Sequence, residues 1–206
     1  MNNTFLENLF NLLKANKDFP NYQAERRIDI FLNYFLTKIL TNYMGKKVEF
    51  ICPEFPIKKI DNNLSTKLDY LCKTKDEIVF VELKTDTSSL KIKQANIYLK
   101  SSWTQCLIDL KTIYAAVKNK VHKKKYAILM DTINAVELTK ENTPLRIFYL
   151  SPLPDENSEF FKEVSIINPK QLKEIILELD EQEQIVWNYL IDLGLAIFEI
   201  KNQSHL

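Results

Sequence analysis

Glycine is almost missing from this chain, with two in 206 residues. Phosphate-binding loops need several glycines close together, so nucleotide-binding folds built on such a loop are excluded. Cysteine is nearly as scarce. Cys52, Cys72 and Cys106 are odd in number, scattered and without C-x-x-C spacing, which argues against a disulfide framework or a zinc site. The two histidines, His122 and His205, have no partner spacing for a metal motif. Charge of one sign is lacking too. The formal net charge is +1, so a polyanionic partner would have to be met by a local patch. Long apolar runs are absent: "IVWNYLIDLGLAIFEI" is interrupted by Asp192 and is short for a bilayer span. "MNNTFLENLFNLLKANK" carries Glu7 and no basic stretch, and reads as an amphipathic helix, not a signal peptide. The expectation is a reduced, cytoplasmic protein with no membrane partner.

What is present is an orderly alternation of patterns. Residues 4–14 read as a first helix and 21–44 as a second, closed by Gly45. The second carries Ile28, Phe31, Leu32, Phe35, Ile39 and Tyr43, mostly three or four residues apart. "KKVEFICPEF" reads as a strand ended by Pro53, followed by strands in "STKLDYLCKT" and "EIVFVELK". One long helix is expected from Ser89 to about Asn119, with Trp103, Cys106, Leu107, Leu110, Tyr114 and Val117 on one stripe. "KKYAILMD" reads as a fourth strand and "LRIFYL" as a fifth, and two helices follow. No repeat or low-complexity linker interrupts the order. The sum is one α/β domain with a mixed central sheet flanked by helices and an additional C-terminal helical segment.

Within "IVFVELK", an otherwise apolar strand ends by inserting Glu82 and Lys84. Charged residues are rarely buried unless paired. Strand alternation puts Phe80, Glu82 and Lys84 on one face. A turn at Lys75-Asp76, or a loop from Thr74 to Glu77, sets Asp69 directly opposite Glu82. Opposed carboxylates repel. A divalent cation removes that objection, since Mg²⁺ is held by one or two carboxylates with water and phosphate.

Asp69, twelve intervening residues, then Glu82-Leu83-Lys84 resembles the PD-(D/E)XK nuclease superfamily, the restriction-endonuclease-like fold. Gln94-x-x-x-Tyr98 looks like the Q-x-x-x-Y element of RecB-type members, and the resemblance spans roughly Glu25 to Asp131. Two positions depart from the RecB-type pattern: Thr66 stands where Gly is usual and Leu68 where Pro is. A second E-x-K, Glu199-Ile200-Lys201, has no suitable Asp upstream and no helix after it. The resemblance implies a nuclease core over about 21–131, with a strand and helices over 145–206. It implies hydrolysis of nucleic-acid phosphodiesters with Mg²⁺ or Mn²⁺. Asp69, Glu82 and Glu25 would be metal ligands, Lys84 would act on the nucleophilic water, and Gln94 would orient the Lys or a phosphate beside Tyr98. DNA is favoured over RNA as partner, and a homodimer is left open. Lys123, Lys124 and Lys125, in the basic run "KNKVHKKK", are candidates for phosphate-backbone contact, or else part of a solvated connection between helix and strand. The rival reading is a nucleic-acid-binding or assembly module that keeps the fold without cleaving.

Overall fold

The computed structural model describes residues 4–16, 24–58, 65–86, 92–136, 143–152 and 163–199. Helix α1 (Thr4–Asn16) precedes α2 (Ala24–Met44), whose Ile28, Leu32, Phe35, Leu36, Ile39 and Leu40 are buried along one stripe. Gly45 closes α2 at φ 64°, a left-handed conformation that costs a residue with a Cβ. The sequence placed Tyr43 on the apolar stripe. It is 40% exposed, though its ring meets Phe148 edge-on at 5.6 Å.

Three antiparallel strands follow: β1 (Glu49–Lys58), β2 (Ser65–Lys73) and β3 (Ile78–Leu83). After a helical crossover, β4 (Leu145–Leu150) pairs with β3 in parallel, and β5 (Ser165–Ile167) with β4. The five-stranded mixed sheet runs in sequential order, β1 to β5, with β3 at its centre and every β3 residue buried. Two corrections concern strands. Pro53 was expected to end β1, yet the strand runs on through Pro53 and Pro56 to Lys58. β1 is an edge strand, where alternate N–H positions face solvent and a proline at one of them leaves no ladder bond unmade. The short strand β5 was not foreseen.

The expected long helix is two. α3 (Ile92–Leu99) stops at Lys100, and α4 (Trp103–Ala116) restarts from Ser102, whose hydroxyl caps the Gln105 N–H at 3.2 Å. The break resets the helical phase. It lets Gln94 and Tyr98 face the sheet together with Trp103, Cys106 and Leu110. The larger correction is "KKYAILMD", which is helical: α5 (Lys120–Asn134), capped by the Asn119 side chain, whose Oδ1 accepts from Val121 and His122 N–H. Its inward residues, Tyr126, Leu129, Met130 and Ile133, recur every three or four positions. Ile128, in the middle of the apolar run, is 59% exposed.

The C-terminal segment adds α6 (Pro169–Glu174), a 3₁₀ turn (Ile175–Glu178) and α7 (Glu181–Asp192). Both are capped reciprocally, Asn168 with Gln171 and Asp180 with Glu183. Helices therefore cover both faces of the sheet. One core joins α1, α2 and α7 to Tyr70, Cys72, Val79, Val81, Leu83 and Phe148. The other joins α3, α4 and α5 to Leu71, Ile78, Phe80, Ile147 and Tyr149. No helix among the described residues is long and apolar enough to cross a membrane.

Candidate active site

The β2–β3 hairpin has the register expected from its turn as far as the Tyr70–Val81 pair, where the ladder ends, so the expected pairing of Asp69 with Glu82 is not made. Tyr70 pairs with Val81, Leu71 with Phe80, Cys72 with Val79 and Lys73 with Ile78, around a Thr74–Glu77 loop closed by the Thr74 N–H on the Glu77 carbonyl. Glu82 and Lys84 then fall on the face of Phe80, toward α3, and both are buried, at 1% and 7% exposure. They meet there: the Lys84 ammonium lies 2.7 Å from Glu82 Oε1. Gln94 Nε2 donates to the same oxygen at 2.8 Å and to the Tyr98 hydroxyl at 2.7 Å. The Tyr98 hydroxyl is 2.8 Å from Glu82 Oε2 and 3.2 Å from the Lys67 carbonyl. Helical spacing of four residues is what lets Gln94 and Tyr98 reach one carboxylate together. Burial, then the Glu82 charge, push the Tyr98 phenol far above its ordinary pKa, so it stays a proton donor. Tyr98 is fully buried and holds Glu82, rather than presenting a surface to substrate.

Asp69 approaches from β2. Its Oδ2 accepts the N–H of Leu83 at 2.8 Å, the residue between Glu82 and Lys84. Tyr149 of β4 sits across from Glu82, and its phenol is raised by burial first, then by the charges of Glu82 and Asp69. Both carboxylates therefore lie within electrostatic reach of one group.

Asp69 also lines an open cleft of about 460 Å³, with Arg26, Asp29, Pro53, Glu54, Lys67 and Leu83. Glu82 and Lys84 are not among its lining residues, though Leu83 between them is. Asp29, on α2, accepts a hydrogen bond from the buried Tyr70 hydroxyl. Lys67 pairs with Glu54 across the strands at 2.5 Å. Asp29, Arg26, Glu54, Lys67 and Tyr149 were not singled out from the sequence. Asp29 had a signal, one turn after Glu25; the cross-strand pair had none.

Glu25 lies in the first turn of α2, and its side chain falls outside the described residues. Lys123, Lys124 and Lys125 are exposed on α5, and are not among the contacts of Glu82. Lys123 sits 5.5 Å over the Tyr114 ring. The basic run is thus the start of a helix rather than a connection to a strand.

Among the described residues, no three His, Cys, Asp or Glu side chains are grouped to hold a metal ion. The donor set that remains among the described residues is two carboxylates on adjacent strands. A carboxylate offers about four lone-pair sites. Lys84 and Gln94 take two on Oε1 of Glu82 and Tyr98 takes one on Oε2, which leaves one. A hard cation held there would have to take most of its shell from water and phosphate. Compared with protein-family models, with curated proteins and with solved structures, the chain matches none.

Proposed function

We propose that this chain is a metal-dependent nuclease of the PD-(D/E)XK, restriction-endonuclease-like type, acting on DNA ahead of RNA in the cytoplasm. One observation carries the reading: the buried Glu82–Lys84 pair at the end of the central strand, with Asp69 bound to the backbone between them. A buried ion pair is often no more stabilising than apolar residues of the same size, so stability does not account for it. Clustered, desolvated charge beside a cleft is what functional sites require. The chain order also agrees: a helix, three antiparallel strands, a helical crossover and a parallel strand beside the E-x-K strand.

Asp69 and Glu82 would hold Mg²⁺ or Mn²⁺. Bound there, the ion supplies Lewis acidity and a more acidic bound water. Gln94 and Tyr98 fix the Glu82 oxygens in place. Lys84 presents a desolvated positive charge to negative charge developing on phosphate, where low dielectric makes it effective. Arg26 and Lys67 put two more cations at the cleft for flanking phosphates.

The alternative, a nucleic-acid-binding module without cleavage, is favoured by one feature. Three of the four acceptor sites on Glu82 are already taken by protein donors. Incubating the protein with single- and double-stranded DNA and RNA, in Mg²⁺, Mn²⁺ or EDTA, separates the two. Cleavage that stops in EDTA supports the nuclease. Retention of DNA on a gel without cleavage in either metal supports the module.

A further inference from the structure

β1 and β2 both lose their alternation at the same point. On β1, Cys52 and Phe55 are buried in the same core, although three positions separate them. On β2, Leu68 lies in that core and Tyr70 in the opposite one, although two positions separate them. Regular pleating forbids both arrangements. The residues between are Pro53 and Glu54 on β1 and Asp69 on β2. The pairing on either side, Pro53 with Tyr70 and Phe55 with Leu68, sets Glu54 and Asp69 opposite each other. Glu54 has a φ of 50°, the one non-glycine residue with positive φ among those described. Such a conformation persists only where its surroundings impose it, and it gathers at functional sites.

The consequence falls on Asp69. The β2–β3 ladder ends at the Tyr70–Val81 pair. Regular continuation would offer the next β2-facing N–H of β3, that of Leu83, to the β2 backbone. That N–H goes instead to the Asp69 carboxylate at 2.8 Å. The β1–β2 register shifts between Phe50 and Cys52 and is unshifted from there on, but the Glu54–Asp69 pair is missing from it. At that gap the Asp69 side chain is re-aimed, as happens at strand irregularities beside active sites.

We infer that Glu54 is a positioning residue: its left-handed backbone, opposite Asp69, turns the Asp69 carboxylate out of the strand alternation and onto the Leu83 N–H between Glu82 and Lys84. The role belongs to the backbone. The Glu54 side chain pairs with Lys67 in the open, where such pairs contribute little.

Amide exchange followed by NMR tests this directly, with Val79 and Val81 as internal references. Glu54→Val places a β-branched residue where positive φ is most costly. Its Leu83 amide should lose at least tenfold in protection while Val79 and Val81 keep theirs. Glu54→Gly and Glu54→Gln should keep the Leu83 amide protected, and Glu54→Gly should melt no lower than the parent. Parent-like protection in Glu54→Val overturns the inference. So does loss in Glu54→Gly, or a lower melting point for it, either of which decides the matter even if Glu54→Val does not fold. The link to metal rests on the function proposed above: Mn²⁺ should bind Glu54→Val at least tenfold more weakly than the parent. A parent that binds no Mn²⁺ overturns the proposed function, while the amide result still decides the role of Glu54.

Discussion

Lys84 is buried with one carboxylate as its ion-pair partner, which makes its removal informative twice. Among the described residues, Lys84→Ala leaves Glu82 with Gln94 and Tyr98 as donors but without a counter-charge. Breaking a buried pair costs on the order of 3 kcal/mol. Loss of one positioned electrostatic stabiliser costs on the order of 10²–10³ in rate. The variant should therefore fold with a lower denaturant midpoint and cleave at least a hundredfold more slowly. Parent-like cleavage would remove Lys84 from the chemistry. The Glu82–Lys84 part of the network was legible because it is local, period two along β3 after a short hairpin loop. Gln94 and Tyr98 were expected from the family resemblance alone, since the expected long helix set them away from the Trp103 stripe. Glu54 and Asp29 were not legible. A positive φ at glutamate has no composition signature, and Asp29 becomes a cleft residue only once Tyr70 packs beneath α2.

Among the elements, α5 shows where pattern reading fails. "YAILM" is as apolar as a buried strand, and a short apolar run does not reveal its own period. The Asn119 cap and the spacing from Tyr126 to Ile133 decide for a helix, and both lie partly outside the run. Helix α2, long and strongly periodic, was read to within a few residues, and its terminator can be tested. At Gly45 nothing lies within 4 Å of an added Cβ, so Gly45→Ala meets no clash and only the φ of 64° opposes it. A destabilisation of about 1 kcal/mol is expected by denaturant titration. Docking of α7 on α2 has an acid-sensitive contact. The Glu183 carboxylate, which also closes the α7 capping box, accepts from Lys38 and from Tyr34, and the Lys38 contact chiefly holds its pKa below the usual carboxylate value. A folded pKa below the unfolded one adds stability that is full above about pH 4.5 and fades as pH falls through the folded value. Glu183→Gln keeps a side chain able to close the capping box and removes the titration. Melting midpoints between pH 6 and pH 3 should thus fall less steeply in the variant than in the parent.

At the scale of the whole molecule, the mixed sheet and its helical layers follow from the order of patterns in the chain. The placement of charge does not. Opposed carboxylates at Asp69 and Glu82 suggested a repulsive pocket, whereas Lys84 already balances Glu82 and the Leu83 N–H already engages Asp69. What a cation would add is a shared partner for both. A ligand that binds only the folded state adds RT ln(1 + [L]/Kd), roughly 1–3 kcal/mol at ten to a hundred times Kd. The decisive measurement is a thermal melt of the parent and of Asp69→Asn, each in Mn²⁺ and in EDTA. Asparagine keeps an oxygen for the Leu83 N–H and loses only the charge. A rise of a few degrees in Mn²⁺ for the parent, much reduced in Asp69→Asn, is the predicted result. An equal rise in both proteins, or none in the parent, would contradict a metal site at Asp69 and Glu82.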